Sequence, residues 1–467
     1  MMISARRTNP IPTPTASVPL RTSQPRITLV LILSSAVAAL GGLLFGLDTA
    51  VIAGATHALS QLFGLSPGML GVTVSSALWG TIAGAALAPP LGESLGRRDS
   101  LRIAAVLYLV SALGCALAWN WPALVAFRIV GGLGIGASSV LGPMYIAEIA
   151  PAALRGRLVC CFQINIVIGI LVAYLSNYFI VLHNLGRVEW RWELGVPAIP
   201  AAVFLIALFF IPRSPRWLLG KNLVEEAESA LTAVGEPEPR PEIARIWSSI
   251  AAERALSGER LLARRYRLPL FLAISLGLFC QLSGINAILY YLNDIFRAAG
   301  FASLSGNLQA VAVGATNLIF TLLAMMVIDR IGRKPLLLIG SLSMAAALAG
   351  VAILFSTHQH QGWLLWLLIG YAAAFSFSEG AVMWVYIGEV FPNSVRARGL
   401  GAGSLSHWIM NALISAFFPV LAARSKAIPF EFFAAMMVLQ FFVVWFVFPE
   451  TKGIELEDMQ QRLTHAA

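Results

Sequence analysis

Residues 41–55 read GGLLFGLDTAVIAGA, a run of apolar and small residues with one carboxylate, Asp48, in its middle. With the apolar residues before it, the run is long enough for the ~20 residues that a helix needs to cross a bilayer. A charge near the membrane centre costs at least ~2.5 to 3.5 kcal/mol on insertion scales, so a partner, a water-filled cavity or a proton must compensate it. The stretch therefore predicts a membrane-spanning helix with a functional carboxylate.

The composition of the whole chain agrees with this prediction. Of its 467 residues, 58% are hydrophobic and 12% are charged, about half the charged fraction of an ordinary soluble domain. The net charge of +9 comes from Lys and Arg clusters between apolar runs, where basic residues set membrane orientation and do not indicate nucleic acid. The cysteines lie inside apolar runs without metal-ligand spacing, so no metal and no cofactor is expected: Cys115, Cys160, Cys161 and Cys280.

Twelve apolar runs are long enough to cross a membrane, and we number the predicted spans 1 to 12 in chain order. They lie at about 27–55, 68–91, 100–119, 122–146, 157–183, 192–212, 268–296, 306–329, 335–357, 363–389, 399–422 and 428–449. An even number places both termini on one side. The loops on that side carry most of the basic residues, so both termini are predicted to be cytoplasmic in a multi-pass protein of the plasma membrane.

The loops divide the chain into five segments. Residues 1–26 are predicted to be a disordered cytoplasmic tail, and 27–212 the first bundle of spans. Residues 213–267 are the one long polar connection, with helix-like runs at 224–234 and 241–256, and we expect a cytoplasmic helical insert there. Residues 268–449 form the second bundle and 450–467 a second cytoplasmic tail.

The two bundles repeat each other in sequence. YIAEIAP (145–151), followed by Arg155, recurs 241 positions later as YIGEVFP (386–392), followed by Arg396. Gly96-Arg97-Arg98 recurs 236 positions later as Gly332-Arg333-Lys334. Near-constant offsets across unrelated motifs predict an all-α fold of two pseudo-symmetric six-helix bundles. Such repeats place a site between them at the midplane and permit alternating access by rocking.

The motifs taken together resemble the sugar porter family of the major facilitator superfamily, from residue 41 to 453. They are GGLLFGLDTAVIAGA, LGRRDS (95–100), Arg128 with GGLGIG (131–136), PMYIAEIAPAALRGR (143–157), PRSPRW (212–217), QLSGINAILYY (281–291), DRIGRK (329–334), GAVMWVYIGEVFP (380–392) and PETKG (449–453). The N-terminal half is most similar to bacterial proton–xylose symporters. The resemblance implies a twelve-helix carrier of a monosaccharide or related polyol, with protons as the second partner.

The candidate proton site is Asp48 with Arg128. Counted from the predicted outer ends of spans 1 and 4, the two residues lie roughly 13 and 9 Å deep, so their side chains could meet. An ion pair would hold Asp48 ionised, and breaking it would allow a proton to bind. The resemblance implies this role, because family symporters carry Asp at this position. The alternative is a static salt bridge that joins spans 1 and 4.

A sugar site needs amides that donate and accept hydrogen bonds, together with aromatic rings. The resemblance implies ligand contacts at polar and aromatic positions of the interior spans, namely Gln163, Gln281, Asn286, Asn317, Trp384, Trp408 and Asn411. His407, in place of a family amide, could bind solute or titrate near neutral pH. For isolated intramembrane amides, hydrogen bonding between helices is the common alternative role.

Departures from the family pattern affect the same region. Cys280 replaces the first of two usual glutamines, and His407 replaces an amide. Glu379 is a second carboxyl within a span, which could contact the solute, accept a proton or pair with a buried cation. Ala381 replaces a proline, so we expect span 10 to break less easily.

The resemblance also implies a gating network of ion pairs that joins helices and locks the outward-facing state. Pairs present in one state and broken in the other bias a two-state equilibrium. Its candidates lie at the basic ends of the spans: Arg97, Arg98, Glu148, Arg155, Asp329, Arg330, Arg333, Glu389 and Arg396.

The sequence therefore predicts a proton-coupled sugar symporter that works as a monomer. The alternatives are a facilitator that does not use the proton and a sugar sensor that does not transport. An enzyme is not expected, because the intramembrane carboxyls have no nucleophile or metal-ligand set beside them.

Overall fold

The computed structural model of the protein describes residues 26–256, 261–392 and 394–454, and the side chains of all of these except 252–256. The predicted tails at 1–26 and 450–467 lie largely outside this range. Within it, every regular element is a helix.

Twelve helical segments are long and apolar enough to cross a membrane, which confirms the predicted number. Spans 1 to 6 are Leu29–Phe63, Pro67–Leu95, Arg97–Ala116, Trp121–Ile149, Arg155–Leu182 and Gly186–Ala207. Spans 7 to 12 are Arg264–Tyr290, Ser303–Ile331, Arg333–Thr357, Gln361–Glu389, Arg396–Arg424 and Ile428–Val447.

Span 1 continues two turns beyond its predicted end and stops at Phe63. Gly64 ends it in the left-handed conformation (φ 60°), and its N–H bonds the carbonyl of Ser60. His57 and Gln61 contact each other across one turn at 3.0 Å, so the polar residues that suggested an end at 55 belong to the helix surface. Asp48 is consequently farther from the end of span 1 than predicted.

Two spans are interrupted in the C-terminal half. Span 7 breaks at Gly284 (φ 87°) between Leu282 and Ile285, and a short helix, Leu292–Ala298, follows it. Span 10 breaks at Ser378 (φ −114°, ψ −92°), although it lacks the family proline. The sequence predicted that span 10 would break less easily without this proline, and the structure nevertheless breaks it at Ser378. The Ser378 hydroxyl donates to the Ala374 carbonyl at 2.6 Å, and such back-bonding bends helices without proline.

Span 1 packs closely against span 5 through small residues. A Cβ built at Gly46 would lie 1.8 Å from the carbonyl oxygen of Ile166, and one built at Gly169 would lie 2.2 Å from that of Leu43. Only glycine permits backbones to approach so closely, as is usual where membrane helices associate by packing. The helix that carries Asp48 is thus fixed against its neighbour.

The two bundles share one apolar core at one end and have separate cores at the other. We call the membrane face with the 213–267 segment the basic side. Toward the opposite side, one cluster combines residues of both bundles, among them Ile52, Tyr174, Ile288, Phe296 and Trp408. Toward the basic side, one cluster belongs to spans of the first bundle and another to spans of the second. The bundles are therefore joined toward the opposite side and separated toward the basic side.

The segment 213–267 contains the helices Pro215–Gly220, Val224–Ala233 and Pro239–Leu256. Its first two helices pack through a small apolar cluster of their own, which includes Leu218, Leu219, Ala227 and Leu231. Trp217 attaches the segment to the first bundle by donating to the carbonyl of Glu93 at 3.0 Å.

Candidate functional site

Arg128 does not contact Asp48 in this structure. Its guanidinium is buried against span 2, where Nε donates to the Thr73 carbonyl at 2.9 Å and a terminal nitrogen reaches the Val74 carbonyl at 3.5 Å. No ion pair within 4.0 Å joins the two residues. The predicted direct pair is thus absent, because backbone acceptors of span 2 already satisfy the guanidinium. Arg128 and Asp48 are still close enough for an electrostatic interaction without direct contact.

The position of Arg128 follows from the start of span 4. Asn120 caps this helix by accepting from the Ala123 N–H at 2.9 Å, and the Trp121 indole donates to the Thr73 hydroxyl at 2.8 Å. These bonds hold span 4 against span 2, so Arg128, two turns farther along, faces the span 2 carbonyls.

Asp48 is half-buried and has no side-chain hydrogen bond or ion pair within the described part of the chain. Phe45 lies three residues before it on the same helix face. The Phe45 ring contacts the Trp408 ring of span 11, with 5.5 Å between centroids. The unpaired carboxylate of the first bundle is therefore next to a contact with the second bundle.

Three of the predicted solute residues form one connected group in the second bundle. Asn286 donates from Nδ2 to Oε1 of Gln281 at 3.0 Å, and Nε2 of Gln281 lies 3.1 Å from Nε2 of His407. Gln281 and His407 are buried, whereas Asn286 is half-buried. Although Asn286 and His407 belong to different spans, Gln281 bridges them.

Aromatic rings surround the histidine of this group. The Trp384 and Trp408 rings lie 5.5 and 5.2 Å from the His407 ring, the second at an interplanar angle of 88°. Trp384 is 39% exposed, which leaves its ring open to a ligand. We call Gln281, Asn286, Trp384, His407 and Trp408 the amide–ring group. It has the hydrogen-bonding amides and apolar ring faces that a sugar requires.

The remaining solute candidates differ in their free hydrogen-bonding capacity. Asn317 accepts from the Ser376 hydroxyl at 2.6 Å. Asn411 accepts from the Ser415 hydroxyl at 3.2 Å and approaches the Tyr290 hydroxyl at 3.5 Å. These two amides hold neighbouring helices. Gln163 is half-buried on span 5, with no side-chain hydrogen bond among the described residues.

Glu379 is not part of the amide–ring group. It is 0% exposed, and the polar side chains beside its carboxyl group are Gln440 and Cys280. No Lys, Arg or His of the described residues lies within ion-pair distance of it. The predicted pairing with a buried cation is therefore absent among the described residues, and the solute contact stays a prediction.

The predicted gating residues pair within each bundle. Arg97 and Glu148 join spans 3 and 4 at 2.8 Å, and Arg333 and Glu389 join spans 9 and 10 at the same distance. The Ser214 hydroxyl also donates to Glu148. Among the ion pairs of the described residues, none crosses from one bundle to the other.

The other gating candidates surround these two pairs. Asp329 pairs with Arg333 at 3.0 Å, and Arg396 donates to the Phe391 carbonyl at 3.2 Å. Arg98 pairs with Asp99 at 3.1 Å, and Arg330 accepts from Lys452 through its carbonyl. Arg155 lines a cavity of about 390 Å³ between the first bundle and the 213–267 segment.

Sequence reasoning missed one buried carboxyl, Glu193 of span 6. It is 2% exposed, and a Cβ at Gly54 would lie 2.5 Å from its Oε1. Neither Glu193 Oε1 nor Oδ1 of the adjacent Asn177 has a hydrogen-bond partner among the described residues. Span 6 was predicted to begin at 192, which made Glu193 look interfacial. The sequence signal for a buried side chain at this position is Gly54 of span 1, whose missing side chain leaves room for the carboxyl group.

Comparison with known proteins gives consistent matches over most of the chain. A family profile described as "Sugar (and other) transporter" matches residues 34–463. The D-xylose-proton symporter of Escherichia coli K12 is 37% identical over 91% of this chain and 94% of its own. The arabinose-proton symporter of Bacillus subtilis 168 is 37% identical over 92% of this chain and 94% of its own.

Solved structures match as well. The inward open conformation of the xylose transporter XylE from E. coli has a TM-score of 0.83 at 36% identity, covering 92% of this chain and 99% of that one. The proton:xylose symporter XylE bound to 6-bromo-6-deoxy-D-glucose has a TM-score of 0.76 at 35% identity, covering 94% and 100%.

Proposed function

The chain belongs to the sugar transporter family and carries sugar across a membrane, and on that premise we propose that it is a proton-coupled symporter of a monosaccharide, hexose or pentose, or of a related polyol. The relatives named as symporters of xylose, arabinose and galactose with protons support the coupling.

The observation that carries the proposal is the position of Asp48. Its carboxyl group has no hydrogen-bond or ion-pair partner within the described chain, and it lies one turn from the contact between Phe45 and Trp408. An unpaired carboxylate inside a membrane is costly, and taking up a proton removes that cost. Because Phe45, one turn before Asp48, contacts Trp408 of the amide–ring group, a change of charge at Asp48 acts close to the proposed solute site.

Arg128 completes the proposed proton site. When Asp48 carries a proton, Arg128 needs other acceptors, and the Thr73 and Val74 carbonyls supply them in this structure. When Asp48 loses the proton, the carboxylate attracts the guanidinium, and the ion pair compensates both charges. A proton and the Arg128 guanidinium therefore compete for the Asp48 carboxylate. The outcome changes the contacts among spans 1, 2 and 4.

The structure is best described as an inward-facing state of the proposed cycle. The bundles share a core toward the opposite side and have separate cores toward the basic side. The basic residues of that side favour a cytoplasmic location, with both termini inside. The higher TM-score with the inward open relative, 0.83 against 0.76 for the sugar-bound one, supports the same assignment.

The amide–ring group favours a neutral solute. Its hydrogen-bonding groups are two amides, a buried imidazole and indoles, so it offers no permanent charge for a sugar acid or an amino sugar. Hydroxyl groups satisfy amides as donors and acceptors, and the exposed Trp384 ring can cover an apolar sugar face. In this proposal the transporter functions as a monomer, because both bundles that form the site belong to one chain.

The proposal is tested with purified protein in two steps. A panel of pentoses, hexoses and polyols is first screened for thermal stabilisation, since a ligand raises stability according to its occupancy. The best ligand is then offered to proteoliposomes with and without an inward proton gradient. A symporter accumulates it above the external concentration only with the gradient. Equilibration without accumulation under both conditions would identify a uniporter, and stabilisation without uptake would identify a sensor.

A further inference from the structure

Glu379 faces a second unsatisfied polar side chain in a sealed part of the C-terminal bundle. Neither carboxyl oxygen of Glu379 has a hydrogen-bond partner among the described residues, and the same holds for both amide atoms of Gln440 on span 12. Both residues are 0% exposed. Their side chains are neighbours, with the Cys280 thiol of span 7 on the same carboxyl group. A carboxyl and an amide without other partners thus meet inside the protein.

Among the described residues, no cation that could compensate a charge on Glu379 lies within ion-pair distance of it. The titratable side chains that face it are Cys280 from span 7 and Tyr371 from the first part of span 10, while the His407 ring of span 11 packs against Trp384. The charged residues of spans 8 and 9 are at the basic ends, where Arg333 meets Glu389. Glu389 is ten residues from Glu379, or about 15 Å along a helix.

These surroundings favour the neutral acid. A carboxylate buried without a counter-ion costs several kcal/mol, even after the protein relaxes around it. The neutral acid can donate its O–H to Oε1 of Gln440 and accept from the Gln440 amide, which satisfies both side chains. Three roles were considered from the sequence. Cation pairing has no cation within reach, and a carboxyl sealed away from the amide–ring group is poorly placed for solute contact, so we take proton binding.

Glu379 is also at a place where helices can move relative to one another. It directly follows Ser378, where span 10 breaks, and a Cβ at Gly340 of span 9 would lie 2.0 Å from the Ser378 hydroxyl. Its neighbours Cys280 and Gln440 belong to two further spans, and Cys280 precedes Gln281 of the amide–ring group. A movement of span 10 therefore changes the environment of the carboxyl group, and a proton bound there biases that movement.

We infer that Glu379 is a second proton-binding site of the transporter, separate from Asp48. Its proton is bound while the second part of span 10 packs against spans 7 and 12, and it leaves when this packing loosens. The carboxylate oxygen takes the proton from a hydronium ion and returns it to water. This inference rests on the proposed sugar transport, but it does not require that Asp48 be the coupling residue.

The test uses sugar counterflow in an Asp48→Asn background, in which exchange needs no proton at residue 48. In this variant the exchange rate should still fall at alkaline pH, because Glu379 continues to titrate. The added change Glu379→Gln keeps the shape and the hydrogen bond to Gln440, and it should abolish the alkaline fall. A pH-independent rate in Asp48→Asn, or an unchanged alkaline fall in the double variant, would overturn the inference. Failure of the proposed function appears separately, as equilibration of the sugar without accumulation by the wild-type protein, with or without the proton gradient.

A second measurement does not depend on transport. The infrared difference spectrum of the purified protein, wild type minus Glu379→Gln, should contain the carbonyl band of one protonated carboxyl group at neutral pH. Gln440→Leu should shift this band, because the hydrogen bond is lost. The matched control Glu431→Gln, at an exposed position of the same span as Gln440, should leave it unchanged. Absence of the band from this difference spectrum would contradict the inference.

Discussion

The two bundles repeat each other in sequence, yet their interiors have different chemistry. The N-terminal bundle contains Asp48, Arg128 and Glu193, charged groups without an ion pair among the described residues. The C-terminal bundle contains connected amides and rings, and its one sealed carboxyl, Glu379, has no cation beside it. In the proposed function, this difference places proton binding at Asp48 in one bundle and solute binding by the amide–ring group in the other. They meet where the Phe45 ring contacts Trp408.

The largest expected effect comes from removing the cation of the N-terminal bundle. Arg128→Leu removes the buried guanidinium and its charge-assisted hydrogen bonds to the Thr73 and Val74 carbonyls, each worth about 1.5 to 3 kcal/mol. We expect loss of accumulation driven by a proton gradient and a lower melting temperature, both measurable with purified protein. Arg187→Leu, at an exposed position, is the control and should change neither. Full accumulation by Arg128→Leu would show that the N-terminal charges do not couple transport.

A smaller effect is expected in the amide–ring group. Gln281→Ala removes the amide that bridges Asn286 and His407, so sugar affinity should fall roughly 10- to 100-fold, as expected for about 1.5 to 3 kcal/mol. The pH dependence of uptake should stay that of wild type, because Asp48 is untouched. Asn317→Ala is the control, since that amide is occupied by Ser376. If Gln281→Ala changes the pH profile and leaves sugar affinity unchanged, the assignment of proton binding and solute binding to different bundles is wrong.

The smallest effect is expected at the basic ends, where the bundles are most alike. Glu148→Gln weakens the pair with Arg97, and Glu389→Gln weakens the equivalent pair with Arg333. Because each pair joins two spans of one bundle, either change should shift the inward–outward equilibrium by only a few-fold. The reactivity of a single cysteine placed at Gln163 measures this shift. If the cysteine reacts at the wild-type rate in both variants, these ion pairs have no role in gating.

The sequence predicted the fold because its signals are strong and local. Twelve apolar runs and the recurrence of YIAEIAP as YIGEVFP were sufficient for two six-helix bundles. Boundaries were less certain where polar residues continue a helix, as His57 and Gln61 do in span 1. The break at Ser378 was missed because a serine hydroxyl bonding to its own helix leaves no mark as distinct as proline.

The site could be predicted as a set of residues but not as an arrangement. Motif positions indicated Gln281, Asn286 and His407, yet their connection depends on how spans 7 and 11 pack. Depth along two helices suggested that Arg128 would meet Asp48. It could not show that carbonyls of a third helix, span 2, would compete for the guanidinium. The spacing of residues along the sequence does not specify which of three neighbouring helices will supply the contacts.

The most direct test of proton coupling compares two activities of Asp48→Asn in proteoliposomes. Asparagine has nearly the shape of aspartate but cannot take up a proton, so the variant separates the solute pathway from coupling. We predict that sugar counterflow remains near the wild-type rate while uphill accumulation in an imposed proton gradient is lost. Accumulation of sugar by Asp48→Asn to the wild-type level would contradict the assignment of Asp48 as the proton site.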